Sequence, residues 1–251
     1  MIIDVNAAVG RWPFCEGQSM TPSRLSRLLA AAGVDVALCS SLEACFHEDP
    51  DEDNRRLSRQ LRGHPRLRPV PVVNPRMPNW PELVERWGRG APAVKILPAY
   101  HAYTLADARV DALAAELARL RRPLLVQVRM EDERVQAPAF RVPPVPVADI
   151  AALAGRFPRL PIVALGAYLP EARDLLRHSP AVRIDISFLD RLDVVGELVR
   201  ECRLAGRRLV LGTNSPLLHA RAAVLKAQTA DASRAVRLAI LGGNARRVLH
   251  L

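Results

Sequence analysis

Eight short runs rich in β-forming residues recur along the chain, at residues 2–6, 34–40, 67–74, 93–97, 124–130, 162–166, 182–187 and 209–214. Segments with helical periodicity separate most of them, at a spacing of about 30 residues per strand-plus-crossover unit. Alternation of this kind specifies parallel βα units, and eight such units close into a ring. The predicted fold is therefore α/β, a (β/α)8 TIM barrel forming one domain over residues 1–251. A doubly wound open sheet is the competing architecture. It calls for a Gly-rich first turn, whereas the first strand here runs into Ala7-Ala8-Val9-Gly10-Arg11-Trp12, which is no GxGxxG.

The helical segments carry recognisable ends. Thr21-Pro22 offers a cap and a first-turn proline, and Gly33 closes that helix. Residues 107–120 place Val110, Leu113, Leu117 and Leu120 on one face. Residues 146–157, 170–178, 190–204 and 216–227 read the same way, and a helix over 231–241 is expected to break at Gly242-Gly243 before a last turn to Leu249. The proline-rich stretch 137–146 reads as a long loop after the fifth strand, able to fold over the barrel mouth.

Composition narrows the function classes. With 49% hydrophobic and 25% charged residues, the chain can bury a core and carries too many charges for a membrane protein. No apolar run reaches the ~18 residues that span a bilayer, and the opening Met1-Ile2-Ile3-Asp4, with no charged segment followed by an apolar core, leads to the expectation of an unprocessed chain. The formal charge of +10 invites a nucleic-acid reading, but only Lys95 and Lys226 are lysines, and the arginines are scattered along helices without interleaved aromatics. The charge reads as compositional habit, with no nucleic-acid or membrane partner expected. Four cysteines without a CxxC pair fit a reducing, cytoplasmic setting.

Active sites of such barrels lie at the C-terminal ends of the strands, where alternate residues face the axis. Period-two reading selects Asp4 and Asn6, Lys95 and Leu97, Gln127 and Arg129, Asp185 and Ser187, and Gly212 and Asn214. An isolated buried charge costs several kcal/mol. The set is thus either a hydrogen-bonded plug or a pocket for a small anionic or amide-bearing molecule. Lys95 and Arg129 together exceed what Asp185 needs as a structural partner, and the arginine fork suits a carboxylate. In the charged run after strand five, Glu131 is a candidate acid or base at the rim. Arg11, Trp12 and Phe14 either wall the pocket or plug its edge.

Several stretches carry a family resemblance: Ile2-Ile3-Asp4-Val5-Asn6-Ala7-Ala8-Val9-Gly10, Val94-Lys95-Ile96-Leu97-Pro98, Leu124-Leu125-Val126-Gln127-Val128, Leu211-Gly212-Thr213-Asn214-Ser215-Pro216, and the ending Ile240-Leu241-Gly242-Gly243-Asn244-Ala245-Arg246-Arg247-Val248-Leu249. In order and over nearly the whole chain, they resemble the amidohydrolase superfamily, and within it the amidohydrolase-related (amidohydrolase 2) branch of hydrolases, lactonases and decarboxylases. That resemblance implies two histidines one residue apart after strand one, a histidine on each of strands five and six, and an aspartate after strand eight, together holding divalent metal. The matching positions are Asn6, Ala8, Gln127, Gly166 and Asn214. None is an ordinary zinc ligand, so no metal and no other cofactor is expected there. A displaced metal site would need His47, His101 and His219 to converge near Glu43.

Two functions from different classes follow. One is a metal-independent hydrolase or lyase acting on a small carboxylated substrate such as a lactone or amide. Its catalytic residues are Asp185 for proton transfer and Lys95 and Arg129 for the carboxylate or oxyanion; Asn6, Arg11, Gln127, Glu131, Asn214 and His101 are expected to contact substrate. The other is a pseudoenzyme that binds a ligand or a partner protein. A homodimer is the assembly that the resemblance implies.

Overall fold

A computed structural model describes residues 1–14, 19–202 and 204–250. Among the described residues there are nine strands: β1 (Ile3–Arg11), β2 (Ser19–Met20), β3 (Val36–Ser41), β4 (Leu67–Pro69), β5 (Val94–Ile96), β6 (Leu124–Gln127), β7 (Ile162–Leu165), β8 (Val182–Asp185) and β9 (Leu209–Val210). All pair in parallel except β2, a two-residue strand antiparallel to the end of β1. The ladders form two arcs, β2-β1-β3-β4 and β5-β6-β7-β8-β9.

Two seams join the arcs into a barrel. Between β4 and β5, Val72 bridges Lys95 in parallel, with Val73 N donating to Lys95 O and Lys95 N to Pro71 O, both at 2.9 Å. Between β9 and β1, Val5 N donates to Leu211 O at 2.9 Å and Ala8 N to Ser215 O at 2.8 Å. The eight parallel strands coincide with the eight runs expected from the sequence. The chain is a TIM barrel, as the βα alternation requires.

Apolar alternation divides the strands between two cores. Ile3, Val5, Leu38, Val70, Ala93, Leu125, Val163, Leu165 and Val210 fill the barrel interior, together with Ala245, Val248 and Leu249 of the C-terminal helix Asn244–Leu249. Outward residues such as Ala37, Val126, Ala164 and Ile184 pack on the helical layer with Leu25, Leu29, Leu113 and Leu117.

Helix ends follow their residues. Thr21 Oγ1 caps helix Pro22–Ala31 through the Arg24 N–H at 3.3 Å, and Asp107 caps helix Ala108–Leu120 through the Arg109 N–H at 2.9 Å. Three departures have physical causes. Helix Asp51–Gln60 has no apolar stripe because Asp53 and Asn54 lie on its buried face; Asn54 exchanges two hydrogen bonds with the Val72 backbone, at 2.8 and 2.9 Å. Residues 190–204 yield only the helix Val194–Glu201, with a separate turn Ala205–Arg208. Gly242-Gly243 does not break the final helix: Arg234–Leu238 passes through a π-helical turn, Ala239–Gly243, into Asn244–Leu249.

Candidate functional site

The polar residues at the C-terminal strand ends form one buried network around Asn6. Its side-chain oxygen accepts from Lys95 Nζ at 3.2 Å, while its amide nitrogen donates to Asp185 Oδ2 at 3.1 Å and to Asn214 Oδ1 at 3.4 Å. Lys95 Nζ also donates to Ser40 Oγ at 3.4 Å. Asp185 accepts further from the Gly166 N–H at 2.8 Å and from Ser187 Oγ at 3.0 Å. Asn214, with φ of 51°, donates in turn to Met130 O at 2.9 Å. Ser187, selected by strand parity but given no role, belongs to this network, as does Ser40, which the strand reading does not select.

Burial sets the electrostatics of the group. It lowers the Lys95 ammonium to about 8, against the opposing pull of acidic neighbours that include Asp185. It raises the Asp185 carboxyl above the ordinary carboxylate range, partly offset by the hydrogen bonds from Gly166, Asn6 and Ser187. The glycine at 212 makes room for this carboxyl, since a Cβ there would lie 2.3 Å from Asp185 Oδ2.

Asp4 departs from the period-two expectation. The register of β1 shifts between Asp4 and Ala7, so Val5 joins the barrel interior while Asn6 reaches Lys95 and Asp185. Asp4 turns to the β1–β9 seam, accepting from Thr213 Oγ1 at 2.6 Å and from the Thr213 and Asn6 N–H groups at 2.9 Å. Burial pushes it up to about 6, against those same hydrogen bonds. Because the folded value exceeds the ordinary 3.8, the proton stabilises the fold fully below about pH 4, and that contribution is lost as pH rises through about 6. The stability difference between wild type and Asp4→Asn, from urea melts, should fall between pH 4 and 6 and level off above 7. A pH-independent difference contradicts this.

Arg129 is not brought to Lys95 and Asp185. Its guanidinium bonds Glu171 at 2.6 and 2.7 Å, Glu133 at 3.0 Å and Gly166 O at 2.5 Å, and it lies 3.8 Å from the centre of the Tyr168 ring. Those carboxylates occupy the fork that a substrate would need. Gly166 links this cluster to the first, its N–H on Asp185 and its carbonyl on Arg129. Gly166 has φ of 77°, and a Cβ there would meet Arg129 O at 2.7 Å. Gly166→Ala should therefore cost about 2 kcal/mol or more, read from denaturant midpoints; a loss below about 0.5 kcal/mol would refute the close approach.

The remaining expected residues form no side-chain hydrogen bond to the Asn6 network. Gln127 is buried in the barrel, with its amide nitrogen on Arg129 O at 2.5 Å and its oxygen unpartnered. Glu131, raised by burial, accepts from Trp12 Nε1 at 2.7 Å. Arg11 is exposed at the end of β1, where its N–H donates to Glu43. His101 is buried, its Nε2 donating to Ala44 O at 2.8 Å and its Nδ1 without a partner.

Over the network lies an apolar cap. Ala8, Trp12, Leu42, Cys45, Val72, Leu97 and Met130 pack together with Phe46 and Tyr100 alongside. Ring contacts extend it: Phe14 stacks on Phe140 at 5.1 Å between centroids, and Phe46 lies 5.2 Å from Trp12. Phe140 comes from the proline-rich loop, which does fold over the mouth.

The residues present do not fit a divalent metal centre. Ala8 and Gly166 supply no side-chain donor, Asn6 Oδ1 already carries the Lys95 head group, and Asn214 Oδ1 accepts from Asn6. Gln127 Oε1 alone is an unpartnered acceptor at these five positions, and one neutral oxygen does not hold a transition metal. Nor do the histidines converge: His47 pairs with Asp53 at 2.8 Å, and His219 is exposed ahead of helix Ala220–Gln228. Among the described residues no cluster of three or more His, Cys, Asp or Glu groups could hold a metal.

The match to known proteins decides the family: residues 10–251 match the amidohydrolase family described as Amidohydrolase, Amidohydro_2. The chain belongs to this amidohydrolase family. The matched region begins at Gly10, after the segment of β1 that carries Asn6 and Ala8. No curated protein sequence matches the chain. Among solved structures, it resembles a dihydroxybenzoic acid decarboxylase from a Polaromonas species, with bound manganese and the inhibitor 2-nitroresorcinol (TM-score 0.76, 14% identity, 100% and 97% of the two chains covered). It also resembles a 5-carboxyvanillate decarboxylase from Sphingomonas paucimobilis (0.74, 15%, 100% and 99%) and a putative amidohydrolase from Staphylococcus aureus (0.76, 11%, 100% and 99%). At these identities the likeness is one of fold. No helix among the described residues is long and apolar enough to cross a membrane.

Proposed function

We propose that this amidohydrolase-family protein is a metal-independent lyase that removes carbon dioxide from a small carboxylated substrate. The observation that carries the reading is the pairing of a buried lysine and a buried carboxyl across one carboxamide, Lys95–Asn6–Asp185, at the C-terminal end of the barrel. Decarboxylation needs a positive charge to receive the electron pair of the breaking carbon–carbon bond and an acid to put a proton where the carboxylate was. Lys95 supplies the first and the raised carboxyl of Asp185 the second. Asn6 holds both, and Asn214 and Gln127 orient the substrate. The decarboxylases of similar fold agree with a carboxylated substrate, and the apolar cap supplies the water-poor surroundings that favour loss of charge as CO2 departs.

The test is release of labelled CO2 from a panel of carboxyl-labelled small acids by chelator-treated protein. Turnover of at least one acid, lost on replacing Lys95 by methionine in a folded variant, is expected. No release from any acid contradicts the reading.

The apolar packing above Lys95 favours a second reading, a family member that binds a ligand or partner without converting it. Under that reading the Lys95–Asn6–Asp185 network is a satisfied plug. Asp185→Asn and Lys95→Met would then change stability with no turnover to lose.

A further inference from the structure

Among the 36 Lys and Arg residues of the chain only Lys95 and Lys226 are lysines. A composition so tilted toward arginine makes a lysine at the centre of the buried network informative, because an arginine cannot lose its proton and a lysine can. Lys95 is 3% exposed. Both hydrogen-bond partners of its side chain are neutral acceptors, Asn6 Oδ1 at 3.2 Å and Ser40 Oγ at 3.4 Å. A neutral amine has two N–H groups and one lone pair. Two acceptors satisfy those two N–H groups and leave the lone pair free, whereas an ammonium would be left with a third N–H lacking an acceptor in a buried site. Lys226 also donates to two neutral acceptors, the Ile186 and Ser187 carbonyls, but it is only half-buried and outside the Asn6 network, so its third N–H can reach water.

We propose that Lys95 is a nucleophilic amine that forms an imine with the ketone of a 3-oxo acid, which makes such acids the substrate class of the decarboxylation proposed above. The inference rests on that reading and specifies how the positive charge is placed. The Lys95 Nζ lone pair attacks the ketone carbon, and the neutral carbinolamine takes a proton from solvent on its hydroxyl and loses water to give a protonated imine. The bond to the carboxylate then breaks; its electron pair forms the carbon–carbon double bond of an enamine as the imine π pair returns to nitrogen, and CO2 leaves. Asp185 donates its proton to the carbon that lost CO2. Water hydrolyses the resulting imine to the ketone product and the free amine, and Asp185 regains a proton from solvent. The net change is one carboxylate and one proton converted to CO2 and a ketone, with no oxidant or reductant. A depressed lysine near 8 leaves a useful fraction of free amine at neutral pH.

The experiment uses the whole protein with acetoacetate as the probe. With sodium cyanoborohydride present, peptide mapping of the wild-type protein should find an isopropyl group on the Lys95 peptide and none on the Lys226 peptide. In water enriched in ¹⁸O, product acetone sampled early should carry solvent oxygen above the enzyme-free exchange. Lys95→Arg should abolish both signals, and wild-type mapping decides the matter if that variant does not fold. If other carboxylates release CO2 while acetoacetate gives neither adduct nor enhanced exchange, the imine is overturned and the decarboxylase reading stands. If no carboxylate releases CO2 and no adduct forms, both fall.

Discussion

Turnover of a carboxylated substrate by Asp185→Asn should fall roughly 10²–10⁴-fold, the contribution of a positioned general acid. The carboxamide keeps the size of the side chain and an oxygen able to accept from Gly166 N or Asn6, so the fold is expected to survive with a modest loss. What it lacks is a transferable proton. The pH profile supplies an independent check. Burial raises the Asp185 carboxyl, so the wild-type protein holds its proton above the ordinary carboxylate range, and the rate of the proposed reaction should decline as pH rises through that raised value. The residual activity of the variant should lack that limb. Unchanged turnover in a folded Asp185→Asn protein would remove Asp185 from the chemistry.

The second large effect is on stability. The Arg129 side chain is 2% exposed, and its guanidinium has two carboxylates, one carbonyl and one aromatic face as partners. Arg129→Met preserves apolar bulk and leaves Glu171 and Glu133 facing each other without their cation. Breaking a buried pair by removing one partner costs about 3–5 kcal/mol. Glu171 and Glu133 remain 24% and 35% exposed, so water relieves part of the penalty and the lower end, about 3 kcal/mol, is expected. Urea melts of Arg129→Met, Glu171→Gln and the double variant would resolve it. The double variant should lose less than the sum of the singles, by about 1 kcal/mol or more. Additive losses, or a single loss below about 1 kcal/mol, would mean that the cluster does not act as a unit.

The barrel was legible because its signal is local. Each strand is a short β-rich run and most of the neighbouring helices have their own periodicity, so the alternation survives without any tertiary information. Lys95, Gln127, Asn6, Asn214 and Asp185 were legible for a similar reason: strand parity picks all five, and the family resemblance picks Asn6, Gln127 and Asn214 independently. What failed needed contacts between distant segments. The fate of Arg129 depends on Glu171, 42 residues on and in the first turn of helix Leu169–His178, with helix Val147–Arg156 between them in the chain. Asp4 was assigned to the axis because a one-residue irregularity in β1 has no signature in the alternation. The helix Asp51–Gln60 escaped notice because its buried face presents Asp53, Asn54 and a single leucine. The cap joins Trp12, Phe14, Phe46, Tyr100 and Phe140 from four separate segments, each carrying one or two rings. The same proline-rich stretch that read as a mouth-covering loop contributes one of them.

The central claim is carboxylate chemistry carried by Lys95 and Asp185 in a barrel whose family metal positions hold no metal-binding set. Its most direct test measures labelled CO2 release and metal content per chain on the same chelator-treated sample, by carboxyl-label assay and elemental mass spectrometry. The account predicts turnover with metal far below one atom per chain and no gain on adding zinc or manganese. Turnover that appears only as bound metal approaches one atom per chain would contradict it.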